Sequence, residues 1–217
     1  MQLAISLDEA VRLIPDGATV MLSGFMGAGV PDGIVHALAE AGKRELTLIS
    51  NDTARDTTGP GPLFAAGCVR KLICSHMGLN TIVQAQFASG ALEVELVPQG
   101  TLVERIRSAG VGLGGILTPT GVGTRIAEGK RIIEVNGRDY LLETPLRADF
   151  ALIAARSCDY VGNLAYMLTA TNFNPIMALA GDTVICEPEE IVPVGMIPPD
   201  LVKTPGILVD YVIKRSA

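Results

Sequence analysis

A glycine-rich segment, residues 23–29, begins directly after the apolar run 18–22 and is followed by Val30 and Pro31. Its residues are Ser23, Gly24, Phe25, Met26, Gly27, Ala28 and Gly29. Glycines let the backbone approach a ligand closely, and several amides at a strand end can converge on an anion or on a developing oxyanion. The alternative interpretation is a tight turn between a strand and a helix, which needs glycine only for its geometry. The spacing alone leaves both interpretations open.

A second glycine-rich segment covers residues 110–124. Gly110, Gly112 and Gly115 match the dinucleotide-binding pattern G-x-G-x-x-G, but that pattern must follow a strand and open a helix. Here it follows the helical pattern 102–109 and is not followed by a helix. A nicotinamide site is therefore disfavoured, and we interpret 110–124 as a flexible or closely packed loop at a ligand site, without a regular element.

Polar side chains follow three other predicted strands. They are Asn51-Asp52-Thr53, Ser75-His76 and Gln99. Each could face a ligand at the carboxyl end of a sheet, or could cap the helix that follows it. The chain has no G-x-S-x-G motif and no cysteine in a catalytic setting, so it carries no evident nucleophile.

Composition restricts the class of protein. The 217 residues carry a formal charge of −6 and are 48% hydrophobic, but only 18% of them are charged. Typical soluble domains have about 25% charged residues. This balance excludes disorder and predicts that part of the exterior packs against another subunit. The net negative charge and the lack of Trp disfavour nucleic acid as a partner.

Hydropathy and cysteine spacing restrict the environment. No apolar run approaches the ~20 residues that cross a bilayer, and the first residues do not resemble a secretory signal. We therefore expect a cytoplasmic protein without a membrane partner. The four cysteines form no C-x-x-C pair, and the chain has only two histidines. This predicts reduced, buried thiols and no metal site.

Predicted strands and helices alternate along the chain. Apolar runs predict strands at 18–22, 45–50, 69–74, 92–97, 149–155 and 182–186. Helical patterns predict a helix capped by Ser6 and Glu9, one from Pro31 to Gly42, and others at 78–88, 102–109 and 174–180. The alternation predicts an α/β fold with an open, mostly parallel sheet and helices on both faces. Ligands in such folds bind outside the carboxyl ends of the strands.

The second half of the chain adds two features. Asn136-Gly137, between the runs 131–135 and 138–142, predicts an inserted β-hairpin. The Pro-rich tail from Pro188 is expected to wrap the surface before a last short element. Because no repeat and no linker divides the sequence, residues 1–217 are expected to form one domain.

Residues 16–31 resemble the signature of the family I coenzyme A-transferase alpha subunit. That signature is an Asp-Gly pair, an apolar strand and then G-G-F-x-x-x-G-x-P. Ser23 stands where the family usually has its first glycine, and serine tolerates a positive φ poorly. Further matches lie at 51–53, 97–102, 112–115, 117–124 and 172–175, so that the resemblance covers nearly the whole chain. It looks closest to the alpha subunits of bacterial acetate or acetoacetate (3-oxoacid) CoA-transferases.

The resemblance implies that CoA moves between a short-chain acyl-CoA and a free acid such as acetate, acetoacetate or butyrate. The route is ping-pong, through a thioester between CoA and a glutamate. In two-subunit members that glutamate lies in a Ser-Glu-Asn-Gly motif of the beta subunit, and this chain has no such motif. The resemblance therefore implies no catalytic nucleophile here, a beta-subunit partner in an α2β2 or larger assembly, CoA as a substrate, and no bound cofactor.

The same resemblance assigns site residues. It implies that the loop 23–29 belongs to the CoA-binding and oxyanion region. It also implies an acyl cleft lined by Asn51, Gln99, Gly114, Gly115, Thr118 and Thr120. Since the chain is acidic, cations for the CoA phosphates must come from residues such as Arg55 or Arg125, or from the partner. Two other interpretations stay open: an enzyme like the sugar-phosphate isomerases, which have a related fold, and a non-catalytic module that binds acyl-CoA.

Overall fold

The computed structural model of the protein describes residues 3–213. The strands are β1 (Leu3–Ile5), β2 (Thr19–Leu22), β3 (Leu46–Ser50), β4 (Val69–Cys74), β5 (Glu93–Leu96), β6 (Ile116–Thr118), β7 (Ile132–Val135), β8 (Arg138–Glu143), β9 (Ala148–Asp159), β10 (Leu164–Ala165), β11 (Gly181–Val192) and β12 (Tyr211–Ile213). The helices are α1 (Leu7–Leu13), α2 (Asp32–Glu40), α3 (Gly61–Ala65), α4 (Thr81–Ala88), α5 (Gln99–Gly110) and α6 (Asn174–Ala180). Short 3₁₀ turns lie at Arg125–Ala127, Leu168–Thr171, Pro199–Leu201 and Gly206–Leu208.

One large sheet forms the centre of the protein. Its nine strands include the path β1-β12-β11-β9-β2-β3-β4-β5, and every pair along that path is parallel. The ninth strand, β10, pairs antiparallel with β9. The predicted α/β fold with an open, mostly parallel sheet is therefore confirmed.

Helices cover both faces of this sheet, as predicted. Alternate side chains of each strand point to opposite faces: Val20 and Leu22 belong to one core cluster, and Met21 belongs to the other. Apolar residues of α1 to α4 complete the first cluster, and those of α5 and α6 complete the second. Among the described residues, no helix has the length and apolar character that crossing a bilayer requires.

Local signals fix several element boundaries. Ser6 and Glu9 form the predicted capping box, in which the Glu9 amide donates to Ser6 Oγ and the Ser6 amide donates to the Glu9 carboxylate. Gly42, at φ +65°, is the predicted left-handed residue after α2. Helix α4 begins at Thr81 rather than at residue 78, because the Asn80 side chain accepts a hydrogen bond from the Val83 amide as the N-cap.

Strands β9 and β11 extend well beyond the predicted runs. They pair with each other from Gly181 and Ala148 as far as Val192 and Asp159. The prediction that the chain leaves the sheet at Pro188 is therefore wrong. Proline has no N–H to donate to a neighbouring strand. It is tolerated here because β12 pairs with β11 only at Ile185 and Cys186, so that side of β11 has no partner strand at Pro188.

The predicted hairpin is present and belongs to a larger unit. Asn136 and Gly137 have φ values of +52° and +73°, as a two-residue type I′ turn between β7 and β8 requires. The adjacent β6 pairs antiparallel with β8 and makes a three-stranded sheet. The prediction that 110–124 contains no regular element is wrong, because this segment includes β6. The strand forms by pairing with β8, more than twenty residues away, and the local glycine content gives no sign of that partner.

Candidate functional site

The glycine-rich loop lies at the point in the sheet where the order in which strands are added reverses. The chain leaves β2 through α2 to its neighbour β3 on one side, while β9 on the other side leads through α6 to β11. In open α/β sheets the crevice outside such a point is the usual ligand site. The loop 23–29 follows β2 directly and therefore lies at the mouth of this crevice.

The tip of the loop is a two-residue turn. The amide of Phe25 donates to the carbonyl of Ala28 at 3.0 Å, and the amide of Ala28 donates back to Phe25 at 2.9 Å. Between them, Met26 and Gly27 have φ values of +50° and +89°. Positive φ at both central positions is typical of a type I′ turn. Part of the glycine content is therefore explained by turn geometry.

Among the described residues, two of the other five loop amides have acceptors and three have none. The amide of Ser23 donates to Leu152 in β9, and that of Met26 donates to the Asp52 carboxylate at 2.9 Å. Within residues 3–213, the amides of three glycines, Gly24, Gly27 and Gly29, have no acceptor. Backbone donors in such a position are satisfied by protein, water or ligand, so these three are the candidate oxyanion or phosphate donors.

Gly27 is the most open of these three positions. A Cβ atom built there meets only Thr58 Cβ, at 4.0 Å, whereas one at Gly24 would lie 2.2 Å from Val30 Cγ2. A Cβ at Gly29 would lie 2.9 Å from Ala170 Cα. Gly24 and Gly29 are therefore required by packing, while Gly27 borders empty space.

Two asparagines hold the loop from the opposite side of the crevice. Asn172 Nδ2 donates to the carbonyl of Ala28 at 2.9 Å, and Asn174 Nδ2 donates to that of Gly29 at 3.1 Å. Asn174 is fully buried, and its Oδ1 accepts the amide of Ala154 in β9 at 2.8 Å. The motif Asn172-Phe173-Asn174-Pro175 thus connects the loop to the sheet, a role that its sequence did not reveal.

Ser23 is compatible with this loop. It is not among the residues with positive φ, whereas the next residue, Gly24, has φ +123°. Its hydroxyl donates to the carbonyl of Gly29 at 3.0 Å and closes the base of the loop. A serine in place of the usual family glycine therefore causes no backbone strain here.

A chain of hydrogen bonds joins the ends of neighbouring strands. Gln99 Nε2 donates to Asn51 Oδ1 at 2.7 Å, and Asn51 Nδ2 donates to Asp52 Oδ2 at 2.6 Å. The same Asp52 oxygen accepts the Met26 amide, and Ser75 Oγ donates to the Asn51 carbonyl at 2.7 Å. Asn51 and Gln99 therefore lie together, and Asp52 couples them to the glycine loop.

Within residues 3–213, no hydrogen bond joins the other four predicted cleft residues to Asn51 or Gln99. Thr118 and Thr120 line a groove of about 420 Å³ against the first turns of α5, together with Gly100 and Glu104. Gly115 approaches the small sheet, where an added Cβ would lie 2.7 Å from the Glu143 carbonyl. An added Cβ at Gly114 meets nothing within 4 Å. The structure does not join this group to Asn51.

Two cavities meet at Gly27. The first, of about 250 Å³, extends between the loop and the ends of β9 and β11 and contains Arg156, Met167, Glu187 and Glu189. The second, of about 510 Å³, lies between the loop and the segment 55–59 and contains His36 and Arg55. Arg125 lines neither of these cavities; it lies in the 3₁₀ turn before β7.

The charged groups of the first cavity are already engaged. Glu187 accepts the amides of Gly33 and Ile34 at 3.1 and 3.0 Å and so caps the N-terminus of α2. Arg156 forms an ion pair with Glu189, and this carboxylate raises the pKa of the guanidinium further. Both of these carboxylates therefore already have partners within the chain.

The thiols are unsuited to attack. All four cysteines are free and buried, as predicted, and burial raises the pKa of Cys74 and of Cys158 to about 12. A thiol with such a pKa is almost entirely protonated near neutral pH. Among residues 3–213, no cluster of three His, Cys, Asp or Glu side chains could hold a metal ion.

Comparison with known proteins agrees with this geometry. The sequence model of the family "Coenzyme A transferase" matches residues 4–215. The chain is 53% identical over 209 residues to the acetate CoA-transferase subunit alpha of Escherichia coli K12, covering 96% of this chain and 95% of that one. It is 47% identical over 213 residues to the acetoacetyl-CoA:acetate/butyrate CoA transferase alpha subunit of Clostridium acetobutylicum, covering 98% of each.

A solved structure extends the comparison to three dimensions. The acyl-CoA transferase of E. coli O157:H7, in its thioester complex with CoA, superposes with a TM-score of 0.86 at 25% identity. The match covers 98% of this chain but 47% of that one, which therefore carries about as much chain again. Together, the family match and the two relatives show that this chain belongs to the coenzyme A transferase family.

Proposed function

We propose that this chain is the alpha subunit of a heteromeric CoA-transferase that moves CoA between a short-chain acyl-CoA and a free carboxylic acid. The single observation that supports this best is the set of unpartnered glycine amides at the mouth of the crevice, within a family of CoA-transferases. The acids named for the two relatives, acetate, acetoacetate and butyrate, define the proposed substrate class. In this proposal all 217 residues form one cytoplasmic domain.

The proposed nucleophile is a glutamate in a Ser-Glu-Asn-Gly motif of the beta subunit. Its carboxylate attacks the acyl-CoA carbonyl, the CoA thiolate leaves, and the thiolate then attacks the glutamyl carbonyl to give a glutamyl-CoA thioester and the free acid. The acceptor acid reverses these steps and receives CoA. Each attack produces a tetrahedral oxyanion, and backbone donors that are already oriented stabilise it without reorganisation.

The residues of this chain would have three roles. The amides of Gly24, Gly27 and Gly29 are the proposed donors to the oxyanion. Asn51 and Gln99 would line one side of the acyl cleft, with Asp52 holding them against the loop. Thr118, Thr120, Gly114 and Gly115 remain proposed cleft residues, of which Thr118 and Thr120 share a groove with Gly100.

CoA also needs cations for its phosphates. Arg55 lines the cavity that begins at Met26 and Gly27, and among residues 3–213 its guanidinium has no carboxylate partner. Arg156, in contrast, is neutralised by Glu189. We therefore propose that Arg55, rather than Arg125, contributes to phosphate binding, together with residues of the beta subunit.

An exchange assay tests the proposed function. The purified chain alone is expected to show no acetyl-CoA:acid exchange, whereas the chain mixed with a partner that carries Ser-Glu-Asn-Gly is expected to catalyse it. Mass spectrometry of labelled acetate entering acetyl-CoA measures both reactions. If the mixture binds acyl-CoA without exchange, the chain belongs to a binding module. Isomerisation of a sugar phosphate in place of exchange would favour the isomerase interpretation.

A further inference from the structure

Leu168 combines two unfavourable features in one residue. Its backbone has φ +51°, a left-handed conformation that costs free energy for any residue with a Cβ atom. Its side chain is nevertheless 84% exposed, so that packing within the chain does not compensate for this cost. Strained, exposed positions of this kind persist where a ligand or partner uses them.

The position of Leu168 is set by the glycine loop. The 3₁₀ turn Leu168–Thr171 packs directly on the loop, because Ala170 occupies the space that a side chain at Gly29 would need. The residue after this turn is Asn172, which donates to the Ala28 carbonyl. Leu168 therefore lies two residues before the position that packs on the loop.

Further exposed apolar side chains lie on the segment that contains Leu168 and on the segment 204–207, which is hydrogen-bonded to it. We define the apolar rim as Tyr160, Val161, Met167, Leu168 and Ile207, all of which are exposed, Ile207 by 92%.

Hydrogen bonds and close packing hold the two segments of this rim together. Tyr166 Oη lies 2.6 Å from Thr204 Oγ1, and the Leu164 amide donates to the Thr204 carbonyl at 2.9 Å. Gly206 packs so closely on the Val161 carbonyl that an added Cβ would lie 2.0 Å from it. The rim is therefore held on one rigid unit beside the crevice.

We propose that the apolar rim docks against the partner subunit that carries the nucleophilic carboxylate, with Leu168 as the anchor. The inference rests on the proposed function, which requires that carboxylate to reach the loop from outside this chain. Met167 lines the first cavity together with Gly27 and Gly29, so the rim is continuous with the surface that the partner must approach. Desolvation of large apolar side chains is typical of the buried centre of a subunit interface.

The length of the solved acyl-CoA transferase supports this choice of occupant. In that protein the match to this chain accounts for 47% of the polypeptide, so that a second segment of similar length is covalently attached. A separate chain of comparable size is thus the occupant that fits best, in preference to a second copy of this chain.

Variants of Leu168 test the proposal, because one of them should raise the stability of the chain while weakening its binding to the partner. Leu168→Gly removes the side chain and relieves the left-handed strain, so the melting temperature of the purified chain is expected to rise by about 2–4 °C. The same variant is expected to weaken binding to the partner by at least ~10-fold, the effect of deleting one anchor side chain. Leu168→Ala should weaken binding equally without raising the melting temperature.

Leu13→Ala is the matched control, because Leu13 is an exposed leucine at the end of α1, with ordinary backbone and outside the rim. It should leave the dissociation constant unchanged in calorimetric titration. Wild-type affinity of both Leu168 variants would overturn the proposal, as would a loss of self-association with partner binding intact. Failure of the proposed function is a separate result, since it would appear as absent CoA exchange by the wild-type pair.

Discussion

Replacement of Gly27 by valine is expected to lower kcat/KM for CoA transfer by at least ~10²-fold, the loss associated with one oxyanion donor. Gly27 has φ +89° and borders both cavities, so a β-branched residue would disfavour the turn and fill the ligand space. The core is not affected, because an added Cβ meets no atom closer than 4.0 Å. The backbone strain is expected to lower the melting temperature by about 2–4 °C, while assembly with the partner is retained.

Gly90→Val provides the matched control for this experiment. Gly90 also has a positive φ, +75°, and open space around its Cβ position, but it lies between α4 and β5, away from the carboxyl edge of the sheet. It should show the same strain with unchanged kcat/KM. If the activity of Gly27→Val follows only the folded fraction, the loop is a turn and the assignment of its donors is wrong.

Asn174→Ala is expected to reduce kcat/KM to a similar degree, because displacement of a catalytic donor by about 1 Å can cost ~10²-fold. The substitution removes the Asn174 hydrogen bonds to the carbonyls of Gly29 and Ala170 and leaves the amide of Ala154 without its acceptor. A buried, unpaired amide destabilises a protein by about 1–3 kcal/mol, so stability will fall as well. Activity must therefore be expressed per folded molecule.

A double variant separates the positioning role from a purely structural one. If Asn174 acts through the loop, Asn174→Ala should lower kcat/KM much less in the Gly27→Val background than in the wild type. The melting temperatures should still add, because the two substitutions affect stability by different means. Fully additive losses of activity would contradict the positioning role. Asn172→Ala, at a less buried position, should show the same pattern with a smaller loss of stability.

Much of the fold follows from local sequence. The predicted boundaries of β4 and α6 agree with the structure, because apolar β-branched residues and an initiating Pro175 act within a few residues. The capping box at Ser6 and the Asn136-Gly137 turn are equally local. These signals determine the alternation of strands and helices, and thereby the parallel sheet.

The elements that were not predicted depend on distant partners. β1 and β12 are each three residues long and pair with each other more than two hundred residues apart, and only β12 is expected from the sequence, as a last short element of unspecified type. β10 and the extended ends of β9 and β11 likewise stabilise one another beyond the point where β2 ends. A pattern read along one segment contains no information about such pairing.

In the candidate site, too, some residues are indicated by the sequence and others depend on contacts between distant segments. The loop 23–29 and the pair Asn51 and Gln99 could be predicted, because strand ends in a parallel sheet gather at one edge. The roles of Asp52 and Asn174 could not, since they depend on which carbonyls and amides the folded loop leaves without partners. Buried backbone groups need hydrogen-bond partners, so some side chains must bond to the loop. That rule does not say which residues they are.

In the proposed enzyme this chain forms the loop 23–29 that binds the oxyanion, and its partner supplies the nucleophile. The most direct test is to mix both subunits with acetyl-CoA in the absence of an acceptor acid and to measure the intact mass of each chain under denaturing conditions. We expect the mass of the partner to increase by one CoA less one water and the mass of this chain to be unmodified. A CoA adduct on this chain would contradict this proposal.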